Sequence, residues 1–293
     1  VSGAYQQQGY DFEQPAKLPN ATKVNAQLPS QSNYEVFDYA GEAEINKRSQ
    51  SCVENQLEAI QKDMHKSTGQ SDCRSFSVGK YFTFSDHEDS RYIGKSYLLT
   101  GIHIIASQPN QSGASQSSNK QVYINHFDCV PKETAYRCSQ YLKKPLISGV
   151  QTAIVTGDPG DEQHIDKFGR VKVQFHWDRE GEFSSKSSCW IRVAQNWAGN
   201  KWGSFFFPRV GQEVLVDFIN GDPDQPMISG AVYNADLMPP YALPDKKSSS
   251  GIKSHSTKKG GADNFNEIRF DDEKGQELLF FQAEKDHELK IKN

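Results

Sequence analysis

The chain alternates most clearly in its second half. Val171, Val173, Phe175 and Trp177 fall on one side of an extended segment, with Lys172, Gln174 and His176 on the other. Such alternation predicts a half-buried strand, because successive side chains of an extended backbone point to opposite faces. Val214, Val216 and Phe218 repeat the pattern against Glu213, Leu215 and Asp217. Short apolar runs at 151–156, 189–194 and 226–233 add three further candidates. Gly157-Asp-Pro-Gly160, Glu180-Gly181 and Asn220-Gly-Asp-Pro-Asp224 mark the turns. Five short strands without a strong helical stripe predict a small closed barrel of the OB type, since closure leaves no edge unpaired.

Upstream the period changes. Val53, Leu57, Ile60 and Met64 recur at helical steps, one apolar stripe on a helix from Ala43 to about Ser67, with Gly69 as its terminator. Residues 34–39, 74–84, 97–106 and 122–130 are strand candidates. Residues 108–120 are a low-complexity polar stretch and predict a long, mobile surface loop. Residues 1–32 are rich in Gln, Asn, Ser and Pro and predict a loop or a peripheral strand.

Downstream, Pro239, Pro240 and Pro244 break the chain, and 245–264 has a linker's composition of Lys, Ser and Gly. Alternation then returns at 266–270, 277–283 and 287–292, with inward-type pairs Ile268/Phe270, Leu279/Phe281 and Leu289/Ile291. The near-constant spacing of these short strands predicts the start of a repeat. Six inward side chains are too few to fold alone. Such a stripe gains stability by stacking, or by winding with identical chains.

Composition sharpens this picture. Counting Gly and leaving out Tyr, about 39% of the chain is apolar, against an average of roughly 45–50%. Aromatics reach 11%, too many for a disordered chain. No run approaches the ~18 apolar residues of a membrane-spanning helix. The net charge is −4, and residues 151–240 carry 8 basic against 12 acidic groups, which opposes a phosphate backbone and argues against nucleic acid as a partner. The five widely spaced cysteines predict reduced thiols rather than a disulfide framework. Val1 is not a natural start, and the last residues read as a strand in mid-course, so the sequence reads as a piece of a longer one.

The search for chemistry is mostly negative. The His residues form no HExxH, and no CxxC is present. His164 and His176 stand twelve apart, across a turn, and are not expected to share a metal. There is no GxSxG elbow and no phosphate-binding GxxxxGK loop. Cys189 beside Trp190 reads as a small core hydrophobe. The carboxylates of Asp271-Asp272-Glu273 read as a solvated turn. Trp190, Trp197, Trp202 and Phe205–Phe207 read as core or subunit interface. No catalytic, metal or cofactor residues are assigned.

Four runs are long enough to carry a resemblance: 166–179 (DKFGRVKVQFHWDR), 188–193 (SCWIRV), 208–226 (PRVGQEVLVDFINGDPDQP) and 230–240 (GAVYNADLMPP). With 250–254 (SGIKS), 261–270 (GADNFNEIRF) and 34–39 (YEVFDY), they resemble the valine–glycine repeat (VgrG) proteins, trimeric spikes of the bacterial type VI secretion system. Cys138 stands where that pattern has a Pro. The resemblance implies a mainly β chain. Residues 1–148 would be the last part of an α+β baseplate-hub domain, and 149–235 a five-stranded OB-fold barrel. Residues 236–264 would be a neck linker, and 265–293 the start of an intertwined trimeric β-helix. In the phage relative a lysozyme domain lies between barrel and spike. Here the barrel runs on through a short linker, so that activity is not expected.

The function implied is structural. A homotrimer, driven by sheath contraction, would puncture a target-cell membrane and carry effectors and their adaptors. Its hub would sit on the tube of haemolysin-coregulated protein rings, and its tip would hold a PAAR-repeat protein. The spike would be assembled in the bacterial cytoplasm and then secreted. Ile268, Phe270, Leu279, Phe281, Leu289 and Ile291 would face the trimer axis. Two readings stand beside it: an OB-fold binding module for polysaccharide or nucleic acid, and a peptidoglycan hydrolase.

Overall fold

The computed structural model describes residues 1–25, 33–39, 45–107, 122–138 and 143–292. They form two compact units, Val1–Lys144 and Pro145–Asn293, each with apolar clusters of its own. The loop expected at 108–120 lies outside the described residues.

In the first unit, β1 (Ala4–Gln8) lies between β2 (Asn20–Val24), its antiparallel neighbour, and β3 (Glu35–Tyr39), its parallel one. Helix α1 (Ile45–Gln61) lays Val53 and Leu57 onto Tyr5 and Ala21, with Val36 and Ile60 at the margin. The stripe is therefore real, but the helix ends at Gln61. Turns in which the Met64 N–H reaches the Gln61 carbonyl and the Lys66 N–H reaches that of Asp63 stop it there. Gly69 is no terminator. It sits inside β4 (Ser67–Ser71), where a Cβ would come within 2.4 Å of the Phe127 ring. Glycine is required there by the close approach of that ring.

A second sheet runs β4, β7 (Val122–Pro131), β6 (Ser96–Ser107), β5 (Tyr81–Thr83), all antiparallel. Only the last residues of the expected 74–84 strand pair. Turns at Cys73–Phe76 and Ser77–Lys80 replace the rest, and place the Phe76 ring 5.3 Å from both Phe82 and Phe127. β4 has no apolar side chain beyond glycine, and β1 and β2 carry only Ala4 and Tyr5, and Ala21 and Val24, which is why periodicity gave little sign of them.

The second unit opens with a barrel of five strands: β8 (Gln151–Thr156), β9 (Lys172–Phe175), β10 (Arg192–Val193), β11 (Glu213–Phe218) and β12 (Pro226–Val232). Their order is β10-β12-β11-β8-β9. The two ends meet where Val171 and Ile191 exchange both backbone hydrogen bonds, at 3.0 and 2.8 Å, and this closes the curl. Ala153, Val155, Val171, Val173, Ile191, Val214, Val216 and Ile228 fill the interior, none more than 1% exposed. The alternation along β9 and β11 accounts for half of this core.

Two residues of the β9 segment depart from the alternation. Trp177 was expected inward and is exposed, because the strand ends at Phe175 and a turn from Phe175 to Asp178 carries the chain away. Its indole instead stacks on Phe175 and donates to Gln151 Oε1 at 2.9 Å. Gln174, on the polar side, is 2% exposed. Its amide oxygen accepts from the Phe183 N–H (2.7 Å) and the Ser187 hydroxyl (3.0 Å), and its NH2 donates to the Gly181 carbonyl (3.2 Å). One amide thus folds the 178–187 loop over the barrel wall. A neighbouring turn is held in the same way. Asp166 accepts from the backbone N–H groups of Phe168 and Arg170, and from the Arg170 guanidinium at 2.6 Å.

Gln174→Leu keeps the volume but removes the hydrogen-bond partner of the Phe183 N–H, the Ser187 hydroxyl and the Gly181 carbonyl. At ~0.5–1.5 kcal/mol net for each of three hydrogen bonds, urea unfolding should show a loss of about 2–4 kcal/mol. A loss below about 0.5 kcal/mol, typical of a surface change, would contradict the role given to this amide.

Candidate functional site

The downstream segment folds into a three-stranded antiparallel sheet, β13 (Ser249–Lys253), β14 (Glu267–Asp271) and β15 (Leu278–Gln282), with β14 in the middle. The turn between β14 and β15 uses Gly275 at φ 85°, a backbone conformation that favours glycine. The linker expected over 236–264 is corrected here, since it contains β13. Its composition hid the strand, because Ile252 is the single apolar residue in SSGIK. The flanks are also tied: Ser254 and Ser256 donate from their backbone to the carbonyls of Asn266 and Asn264.

Register decides what each face carries. Ile252 pairs with Ile268, which pairs with Phe281; in the next row Ser250 pairs with Phe270, which pairs with Leu279. Five apolar side chains therefore share one face, and all are exposed: Ile252 55%, Ile268 41%, Phe270 47%, Leu279 54% and Phe281 60%. Four of the six residues expected at an axis are brought together. The other two, Leu289 and Ile291, are not. Residues 283–292 make no ladder, and both side chains are 79% exposed. The expected strand at 287–292 fails within this chain because no edge of the sheet takes it up. Ile252 is the member that sequence reasoning missed.

The opposite face carries the charged residues of β14, with Phe280 and the half-exposed Leu278 beside them on β15. Glu267 is buried, and Arg269 bridges it (3.4 Å) to Asp271 (3.0 Å) along the same strand. The guanidinium also lies 4.7 Å from the centre of the Phe280 ring. The Ser249 hydroxyl donates to Asp271. That hydrogen bond first, and the Arg269 charge after it, hold the Asp271 carboxyl below the usual aspartate range. Burial, and then the Glu267 carboxylate beside it, push the Tyr241 phenol up. A Cβ on Gly251 would lie 2.5 Å from the Tyr241 hydroxyl and 2.3 Å from the Ile268 carbonyl, so the 236–248 segment packs directly on the back of the sheet.

The neck is also fastened to the barrel. Arg209 donates to the His255 carbonyl at 2.8 Å, and the Lys259 N–H donates to Glu162 at 2.5 Å. On the barrel side, Trp197, Trp202, Phe205 and Phe206 are all about 60% exposed, so they form no part of this chain's core. Cys189 is exposed as well, because β10 pairs only from Arg192 onward.

Three family models match the chain in succession. Residues 1–110 match the phage tail baseplate hub. Residues 151–233 match the type VI secretion system/phage-baseplate injector OB domain, and 250–293 match the bacteriophage T4 gp5 C-terminal trimerisation domain. A hub, an OB barrel and a trimerisation sheet in that order define a phage-tail-like spike. The type VI secretion system spike protein VgrG4b of Pseudomonas aeruginosa is 40% identical over 97% of this chain, and the chain spans 36% of that relative. A Vibrio cholerae relative named actin cross-linking toxin VgrG1 is 33% identical over 97% of this chain, which spans 26% of it. A solved Escherichia coli component of the type VI secretion system aligns over 63% of this chain and 44% of that one, at 22% identity and a TM-score of 0.42. The chain belongs to the VgrG family of type VI secretion spike proteins.

A carboxyl whose folded pKa is depressed stabilises the fold fully above its unfolded value, and that stabilisation is lost as pH falls through the folded one. Asp271→Asn should therefore flatten the acid side of the stability profile, as pH falls through the usual aspartate range and below it. Parallel profiles for variant and parent would show that the Ser249–Asp271–Arg269 contacts do not stabilise the sheet.

Proposed function

We propose that three copies of this chain bring their exposed Ile252, Ile268, Phe270, Leu279 and Phe281 faces together around one axis, with Leu289 and Ile291 continuing the stripe. The observation that carries this reading is the pairing of an ion-paired β14 row behind with five exposed apolar side chains in front. Burying such side chains stabilises an assembly by ~1.5–3 kcal/mol each when burial is complete. The match of 250–293 to a trimerisation domain supports the count of three.

The assembly serves as the structural spike of a type VI secretion apparatus and works mechanically rather than as an enzyme. Family membership supports this role. By the same membership, the hub end meets the tube of haemolysin-coregulated protein rings. The tip meets a PAAR-repeat protein with effectors and adaptors, and the particle leaves the cytoplasm where it is assembled. No described helix is long and apolar enough to cross a membrane.

Phe281→Asp would place three carboxylates at the axis, each costing several kcal/mol when buried. Light scattering should report trimers for the parent and monomers for the variant, with the far-ultraviolet circular dichroism unchanged. A Phe281→Asp protein that remains a stable trimer would refute the axis assignment.

A further inference from the structure

The loop between β8 and β9 carries a cluster that the spike role does not use. Asp158, Asp161 and His164 recur at three-residue steps. Their donor atoms lie within 4.8 Å of one another. His164 Nδ1 stands 3.3 Å from Asp161 Oδ2 and 4.0 Å from Asp158 Oδ2. The two carboxylates are solvated, at 59% and 45% exposure, whereas the imidazole is 17% exposed.

The imidazole is fixed independently of the carboxylates. Its ring lies flat on Trp190, with centroids 5.0 Å apart and planes 13° apart. Behind it, a Cβ on Gly157 would come 2.8 Å from the His164 Cβ, so the backbone is packed against the side chain's root. A stacked ring whose Nδ1 is turned toward two carboxylates is a nitrogen ligand held in place before any ion arrives.

We propose that this turn binds one divalent cation of the zinc class through His164 Nδ1 and one oxygen each of Asp158 and Asp161. The donor set decides the class. Calcium and magnesium take oxygen ligands, whereas imidazole with carboxylates suits zinc and its first-row neighbours. Bonds of about 2.0–2.2 Å in a tetrahedron place donors about 3.3–3.6 Å apart. The His164–Asp161 pair already has that spacing, and the exposed Asp158 side chain closes the rest by rotation. Three protein ligands leave the fourth position to water. Binding would tighten the loop that carries Glu162, whose carboxylate holds the neck at Lys259.

The test titrates zinc chloride into the whole 293-residue chain, stripped with chelator, by calorimetry. One equivalent per chain is expected. His164→Phe, which keeps a ring on Trp190, and Asp161→Asn should each weaken binding by at least the ~10–100-fold that loss of an outer-shell partner causes. Cobalt(II) should quench tryptophan fluorescence in the parent and much less in Trp190→Phe. If His164→Phe lowers the unfolding midpoint, Asp158→Asn and Asp161→Asn, at exposed carboxylates, carry the same comparison. Zinc binding unchanged in the carboxylate variants, or no binding by the parent at millimolar zinc, would overturn the proposal.

Discussion

A sheet has two faces, and the chain covers one face of β13–β15 with its own residues. The covered face is built from charge. Glu267, Arg269 and Asp271 alternate along β14 with Ile268 and Phe270, so one strand carries an ion-pair ladder behind and an apolar stripe in front. Each property follows from the period of two, and neither can be changed without slipping the register of both. A sheet this narrow is marginal by itself, because three strands need a hydrophobic face packed on something. The polar back anchors the sheet to its own neck and leaves the front as the place where stability must still be gained.

The barrel upstream is organised on the opposite principle. It closes on itself, and its apolar interior is complete within one chain. The side chains that shape its surface are single polar groups with several partners. Gln174 gathers one loop and Asp166 gathers the next. Each replaces what would otherwise be a run of unsatisfied backbone groups at a turn.

Legibility in sequence followed apolar content. The five barrel strands, the helical stripe at Val53 and Leu57, and the pairs Ile268/Phe270 and Leu279/Phe281 could all be read, because each repeats an apolar residue at a structural period. Strands made of polar residues could not. QQQ in β1, STGQS in β4 and SSGIK in β13 have the composition of linkers, and only the neighbouring strand makes them strands. The strand expected at 287–292 is the converse case. Its alternation is good, but alternation supplies no hydrogen-bonding partner. The 158–164 cluster is not legible in the sequence because the turn that gathers Asp158, Asp161 and His164 has no periodic signature.

The two hydrogen bonds between neck and barrel determine how force would travel. A push along the sheet reaches the barrel by a covalent path through residues 233–248. It also travels by two lateral ties, Arg209 to the His255 carbonyl and the Lys259 N–H to Glu162. Covalent chain resists stretching but bends readily about its backbone torsions. Lateral ties resist bending and twisting, and they act in parallel with the chain. These two hydrogen bonds therefore add torsional stiffness to the joint, and three copies around an axis would place six of them in a ring.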